Sequence, residues 1–168
     1  MHLQTFVSRI AALALVAASL AACTTTSLNV PRPGPTATPP VQKPAAMFVR
    51  PATGATLARF DGVRNKGLDI AGNLGDPIVA SADGRVVYVG GELPAYGNMI
   101  IVKHNETYLT AYAHLQTILV KENQVVRQGE KIGEMGRSNT DRVKLRFEIR
   151  KNGTAVNPEP YLNGLLQQ

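Results

Sequence analysis

From Met47 onward, short apolar and β-branched runs alternate with glycine-containing turns, and no window of about 11 residues or more shows a helical repeat of apolar positions. The clearest runs cover residues 78–80, 85–90, 98–104, 107–115 and 144–151. Asn152-Gly153 is typical of a type I′ hairpin turn, and Asn105-Glu106 is predicted to be a second two-residue turn. The sequence therefore predicts an all-β fold built from short antiparallel strands.

Two of these runs allow faces to be assigned, because successive side chains of a strand point to opposite sides of the sheet. In the run 144–151, one face is predicted to enter a core and carries Leu145, Phe147 and Ile149. The opposite face carries Lys144, Arg146, Glu148 and Arg150. In the run 107–115, one face is predicted to hold Tyr108, Thr110, Tyr112 and His114, and the other Leu109, Ala111, Ala113 and Leu115. We expect both strands to lie in a sheet with one wet face.

The N-terminal residues are predicted to be an export signal that ends at a lipidation site. Arg9 precedes an apolar run of 13 residues, 10–22, which is shorter than the roughly 20 residues of a membrane-spanning helix. The run closes in Leu20-Ala21-Ala22-Cys23, which resembles a bacterial lipobox, and Cys23 is the only cysteine. We therefore expect a signal peptide over 1–22 and acyl chains on Cys23 that anchor the protein to a membrane. The alternative is a plain secretory signal with a chance cysteine.

A proline-rich stretch follows the cysteine. Residues 24–46 contain six of the eleven prolines and almost no large apolar side chain, so they are not expected to form a core. At about 3.1 Å per residue in the polyproline II conformation, such a spacer reaches at most about 70 Å. The predicted organisation is a signal peptide over 1–22, lipidated Cys23 with a linker over 23–46, and one folded domain over 47–168.

The charge balance of the folded part excludes one class of partner. The whole chain carries a formal net charge of +6, but from residue 47 onward 15 Lys and Arg face 12 Asp and Glu, which leaves +3. This excess is small and scattered, and no basic block with interleaved aromatic residues is present, so nucleic acid is not expected as a partner. A mild positive charge is compatible with an anionic cell-wall polymer or an acidic protein.

Six segments in order carry a family resemblance: 65–90, 96–104, 108–115, 125–136, 145–153 and 156–162. Together they resemble the LytM or lysostaphin-type zinc metallopeptidase domain. The closest resemblance is to the murein hydrolase activator lipoproteins of the NlpD and EnvC type. The resemblance implies a single antiparallel β-sheet domain with a groove on one sheet face. For a lipoprotein of Gram-negative bacteria, Thr24 after the cysteine implies the outer membrane, with the domain facing the periplasm.

The resemblance also identifies five groove positions. Active members bind zinc through a His, an Asp four residues later and the second His of a His-x-His strand, while two further His side chains perform acid–base chemistry. The corresponding residues here are Asn65, Asp69, His114, Lys144 and Arg146. Only the Asp and one His are retained. The resemblance thus implies a degenerate member of the family.

These substitutions remove the lone pairs that zinc requires. A hydrolytic zinc site needs at least three protein ligands, and an amide oxygen at Asn65 is a weak one. The guanidinium of Arg146 has no acceptor and stays protonated, and Lys144 lies on the same strand face. We therefore expect no metal, no cofactor and no catalysis, although homology alone would indicate a peptidoglycan metalloendopeptidase.

The altered groove is instead predicted to bind a partner. Arg146 is expected to pair with Asp69 through two parallel hydrogen bonds of its planar fork. Lys144 is then expected to be a free cation, flanked by Tyr112, His114 and Asn65. By the resemblance, these six residues would bind a periplasmic N-acetylmuramoyl-L-alanine amidase and activate it during cell-wall remodelling and cell separation. Peptidoglycan is a second candidate ligand.

Three alternatives remain open at this point. The domain could retain zinc endopeptidase activity, which requires bound metal. It could bind peptidoglycan passively without activating an enzyme. The polar groove residues could also be a leftover surface without a binding role. Asp141 and Glu148 are interpreted as solvated surface charges, because nothing in their spacing indicates an acid pair.

Overall fold

The computed structural model describes residues 47–163. The predicted signal peptide 1–22, Cys23 and the linker 23–46 lie outside the described residues, as do the last five residues of the predicted domain. In the part described, no helix has the length and apolar character needed to cross a membrane.

The described residues form eleven strands and one short helix, and the predicted all-β class is confirmed. The first six strands are β1 (Thr56–Ala58), β2 (Leu68–Ala71), β3 (Pro77–Val79), β4 (Gly84–Gly90), β5 (Met99–Lys103) and β6 (Tyr108–Ala113). The others are β7 (Leu115–Ile118), β8 (Val125–Val126), β9 (Lys131–Met135), β10 (Lys144–Lys151) and β11 (Thr154–Val156), followed by α1 (Glu159–Leu162).

All strand pairs are antiparallel and belong to two sheets. The larger sheet has the order β1-β2-β10-β6-β5-β4-β8, with β11 also paired to β10. The smaller sheet has the order β3-β9-β7. Strand β10 is therefore central, since it pairs with β2 on one side and β6 on the other.

The alternation predicted for β10 is confirmed. Leu145, Phe147 and Ile149 are fully buried in the main hydrophobic core, where apolar burial of this kind is the dominant stabilising term. The Asn152-Gly153 turn is also confirmed, because both residues have the positive φ angles, 49° and 79°, that a type I′ turn requires. Lys151 faces Thr154 across it.

The predicted two-residue turn at Asn105-Glu106 is wrong. The His104 N–H donates to the carbonyl of Tyr108 at 3.0 Å, so three residues, 105–107, form the loop. The Asn105 side chain explains the longer turn, because its Oδ1 accepts hydrogen bonds from the backbone N–H groups of Thr107 and Tyr108 at 2.8 and 2.9 Å. A side chain that satisfies two backbone donors stabilises this wider loop.

The face assignment for β6 is only partly correct. Tyr112 lies in the main core, and Ala111 and Ala113 lie on the opposite face, as alternation requires. The alternation stops at His114, whose φ angle of +65° ends the strand. The face opposite the main core was predicted to be solvent-exposed, but part of it is buried. There, Ala111 and Ala113 pack with Met99 against partly buried aromatic side chains.

Aromatic packing fixes the start of the described chain. The buried Phe48 ring makes edge contacts with His104, Tyr108 and Tyr161, at centroid distances of 5.2, 5.8 and 6.2 Å. Tyr108 faces Lys151, the last residue of β10. The aromatic cluster therefore lies at the end of β10 that is remote from Lys144.

Gly67 permits β2 to approach β10, and its replacement by alanine is expected to destabilise the fold. A Cβ at residue 67 would overlap the carbonyl oxygen of Phe147 and come within 2.9 Å of the Glu148 Cγ. Because overpacking of this kind typically costs about 1–3 kcal/mol, Gly67→Ala should lower the free energy of unfolding by that amount in urea titrations. Arg64→Ala, in an exposed side chain of the same loop, is the control and should change stability little. An unchanged midpoint for Gly67→Ala would contradict the close approach.

Candidate functional site

The floor of the site is formed where β2 and β10 pair. Asp69 lies directly opposite Arg146, and Lys144 lies opposite Ala71. Since Lys144 and Arg146 are two residues apart on one strand, their side chains emerge on the same face as the carboxylate. The sheet register therefore brings one acid and two bases together.

Both oxygens of the Asp69 carboxylate are occupied by cations. Arg146 Nε donates to Oδ1 at 3.0 Å, and Lys144 Nζ donates to Oδ2 at 2.7 Å. The exposed fractions of the side chains are 7% for Asp69, 12% for Lys144 and 21% for Arg146. The predicted Asp69–Arg146 ion pair is present, but it is made through Nε alone. The prediction that Lys144 stays a free cation is wrong, because it takes the second oxygen.

The electrostatics of this cluster favour the ionised acid. Burial alone would raise the pKa of Asp69, but the hydrogen bonds and charges of Arg146 and Lys144 outweigh burial and hold the pKa below its usual value. Asp69 is therefore a carboxylate at neutral pH, fully engaged within the protein. Each of its two oxygens already accepts a hydrogen bond from a cationic side chain.

Asn65 is buried and is used within its own loop. Its Nδ2 donates to the carbonyl of Arg59 at 3.1 Å, and its Oδ1 accepts from the backbone N–H of Gly67 at 3.2 Å. The loop is fixed further by Asp61, whose carboxylate accepts three backbone N–H groups from residues 63–65. Asn65 therefore shapes the wall beside Asp69, and its amide oxygen already has a donor.

His114 is held from two sides at the end of β6. Its backbone N–H donates to the carbonyl of Tyr96 at 2.9 Å, and its Nδ1 lies 2.8 Å from the carbonyl of Ser138. Because a carbonyl only accepts, Nδ1 carries the proton, and Nε2 is left as a bare acceptor without a partner within residues 47–163.

The environment of His114 keeps the ring neutral. The residue is 2% exposed, and burial lowers its pKa. The bond to Ser138 acts against this shift, while the positive charges of Arg146 and Lys144 add to it. His114 thus lies close enough to the Asp69 cluster to feel its charges, and it contributes no charge of its own.

Tyr112 does not line the groove, contrary to the sequence prediction. It is fully buried in the main core, where its hydroxyl accepts from the Ser81 N–H at 2.8 Å and from Thr110 Oγ1 at 2.9 Å. The error arises because the left-handed conformation of His114 breaks the alternation that placed both side chains on one face. Tyr112 therefore supports the sheet from behind.

The sequence interpretation missed a second charged cluster on the same face. Glu148 is 1% exposed, and its Oε2 accepts from Arg150 Nε at 3.0 Å and Nη2 at 2.8 Å. Arg150 Nη2 also donates to the Tyr96 hydroxyl at 3.1 Å. Glu148 is therefore not a solvated charge, and this cluster ties β10 to the loop that holds the His114 backbone. The sequence did contain a signal for this cluster, because Glu148 and Arg150 follow Lys144 and Arg146 at every second residue of β10.

The residues present do not fit a zinc ion. In the described part of the chain, no three His, Cys, Asp or Glu side chains gather into a possible metal site. At the positions where the resemblance implies imidazoles, Lys144 and Arg146 offer only donors, and they neutralise the one carboxylate. The arrangement can therefore bind an acidic or polar group through its cationic hydrogen-bond donors, and its ion pairs keep the groove rigid.

Comparisons with known proteins give a consistent pattern. The sequence profile of peptidase family M23 matches residues 63–158. A protein of Pseudomonas aeruginosa described as a lipoprotein NlpD/LppB homolog is 50% identical over 133 residues, which are 77% of this chain and 45% of that protein. The murein hydrolase activator NlpD of Escherichia coli is 50% identical over 121 residues, 71% of this chain and 32% of that protein. The chain thus spans less than half the length of these relatives.

Among solved structures, a zinc-containing peptidase from Vibrio cholerae is similar in fold. The TM-score is 0.62 with 28% sequence identity, over 73% of this chain and 39% of that one. The likeness covers a protein that carries zinc, whereas the groove of this chain has two cations around its remaining carboxylate.

Proposed function

The chain belongs to peptidase family M23, and we propose that it is a non-catalytic lipoprotein activator of periplasmic N-acetylmuramoyl-L-alanine amidases. In this proposal it acts in cell-wall remodelling and cell separation, and its groove binds the amidase. One observation carries the proposal: both oxygens of Asp69 are engaged by Lys144 and Arg146, where a peptidase of this family would hold its metal.

The charge cluster argues against a hydrolase on energetic grounds. Zinc would have to displace two cations from Asp69 and would find no imidazole at residues 65, 144 or 146. The displaced cations would then remain half-buried without a counterion, next to a divalent ion, which is strongly unfavourable. A partner-binding role requires none of these rearrangements.

The relatives support the direction of the proposal. The Escherichia coli protein is named an activator of murein hydrolases, and the Pseudomonas aeruginosa protein is named a lipoprotein. The matched residues 63–158 include the whole Asp69 cluster and His114. We extend the activator role to this chain, with lipidation at Cys23, a linker over 23–46 and attachment to the outer membrane facing the periplasm. Peptidoglycan is a second proposed ligand.

Burial divides the predicted groove residues by role. Asn65, Asp69 and His114 are buried, and they hold the groove from below. Lys144 and Arg146 retain partial exposure, so they are the residues that a partner would touch. We therefore assign direct contact with the amidase to these two cations and a supporting role to the other three.

Dye release from labelled peptidoglycan tests this function. The full chain, purified in detergent, is mixed with a candidate amidase, and each protein is also assayed alone. We expect release from the mixture at least about tenfold above the amidase alone, no release from the chain alone, and no zinc in the chain by mass spectrometry. Lys121→Ala, an exposed lysine outside the groove, is the matched control and should activate normally.

Two other results would contradict the activator function. Release by the chain alone, accompanied by stoichiometric zinc, would make the protein a metalloendopeptidase. Binding to purified cell-wall sacculi without activation of any amidase would make it a passive binding module.

A further inference from the structure

We infer that the groove recognises a carboxylate on its partner, namely an Asp or Glu side chain of the amidase, through the outward edge of Arg146. The inference rests on the proposed function and specifies the chemistry of the contact. It follows from the charge balance of the groove floor and from the donors that Arg146 leaves unused.

The groove floor has one more positive charge than it neutralises. Lys144 and Arg146 share the single carboxylate of Asp69, and the neutral His114 adds no charge. The neighbouring Glu148–Arg150 pair is balanced within itself. One unit of positive charge therefore remains on side chains that are 12% and 21% exposed. Because these side chains are only partly exposed to water, one added counterion would stabilise the surplus charge.

The guanidinium of Arg146 has a free edge that suits this counterion. Only its Nε is engaged, and within residues 47–163 no hydrogen bond is made by Nη1 or Nη2. An arginine fork donates two parallel hydrogen bonds to a carboxylate, a geometry that the compact ammonium of a lysine does not provide. Arg146 can thus hold Asp69 through Nε and a second carboxylate through its terminal nitrogens.

The surroundings favour a protein side chain over a polyanion. A cavity of about 270 Å³ adjoins the cluster on the β1 side, and it is lined by Leu57, Ala58, Asp69, Asp141, Arg142 and Lys144. Leu57 is half-exposed and gives the cavity an apolar wall. Asp141 and Arg142 pair with each other in the same lining, so they add no net positive charge that would attract a chain of several anions. A single carboxylate on an apolar stem, carried by a protein segment, matches one surplus charge beside an apolar wall.

The test compares substitutions that keep or reverse the charge of Arg146, in the full chain in detergent. Arg146→Lys keeps the charge but loses the fork, and we expect the amidase concentration for half-maximal binding to rise roughly 10- to 100-fold. Arg146→Glu should abolish binding. The matched control Arg127→Lys, at an exposed arginine outside the groove, should bind normally. Urea titration of each variant shows that it is folded.

Charge reversal on the partner completes the test. Individual Asp and Glu residues of the amidase are changed to Arg, and one such change should restore binding to Arg146→Glu, which a purely structural effect would not produce. If the natural chain activates an amidase and Arg146→Lys equals it, this inference is wrong while the activator function stands. If the natural chain activates no amidase, the function itself fails. Arg146-dependent binding to sacculi alone would assign the carboxylate to peptidoglycan and overturn the protein contact.

Discussion

Replacing Asn65, Lys144 and Arg146 together by histidine is expected to produce a chain that binds about one zinc ion per molecule. The β2–β10 register already places residue 146 opposite Asp69, so an imidazole there would lie beside a carboxylate released from its two cations. With His at 65, three protein ligands and one open position become available, as in catalytic zinc sites. Mass spectrometry of dialysed protein measures the metal.

A second triple variant distinguishes the effect of adding imidazole ligands from the effect of removing the two cations. Asn65→Ala combined with Lys144→Ala and Arg146→Ala removes the same side chains without adding imidazoles, and it should remain free of zinc. Zinc in the natural chain, or none in the triple histidine variant, would contradict the argument that side-chain chemistry alone determines the metal content. Dye release by the histidine variant on its own would show in addition that the restored groove is competent for catalysis.

Asp69→Asn is expected to be the most destabilising single change in the groove. It leaves Lys144 and Arg146 close together and largely buried, without the anion that both now contact. Breaking a buried ion pair by removing one partner typically costs about 3–5 kcal/mol. Urea titration measures the loss. Asp141→Asn, in an exposed pair with Arg142, should change stability by at most about 1 kcal/mol, and equal losses in both variants would refute the role of burial.

The same cluster predicts how stability depends on pH. The pKa of Asp69 is lower in the folded chain than the 3.8 of an ordinary aspartate. Its contribution to stability is therefore complete above that value and is lost as the pH falls through the lower folded pKa. The natural chain should therefore lose stability more steeply than Asp69→Asn in this acidic range. Above about pH 5 the difference between the two should be constant. Parallel slopes below pH 4 would contradict the ion pairing.

The fold was largely predictable, because period-2 alternation is a local signal. Strand β10 shows this, since the burial of Leu145, Phe147 and Ile149 follows directly from their spacing. The ordered segments between 65 and 162 also identified the family correctly. The β5–β6 register was not predictable from the turn residues alone, because the side chain of Asn105 selects a three-residue loop through its own hydrogen bonds.

The site was predictable only where it followed the resemblance or the alternation. The Asp69–Arg146 ion pair was predicted correctly. The second bond to Asp69, from Lys144, was not, because it depends on the conformation of a long, flexible side chain. The burial of Tyr112 was missed because His114 has a positive φ and makes hydrogen bonds to Tyr96 and Ser138, which are distant in sequence, and no local pattern reveals this break in the alternation. Alternation places Glu148 on the same face as Lys144 and Arg146, but it does not reveal that this part of the face is buried.

The position of Phe48 has a mechanical consequence. Tension on the chain before Met47 would act first on this N-terminal packing, where the Phe48 ring contacts His104, Tyr108 and Tyr161 and the Met47 carbonyl accepts from Gln128. These rings lie near the Lys151 end of β10, about 23 Å along the strand from Lys144 at 3.3 Å per residue. We therefore expect a pulling force to load this aromatic packing before it reaches the charged residues around Asp69, because Asp69 pairs with β10 near the opposite end of that strand.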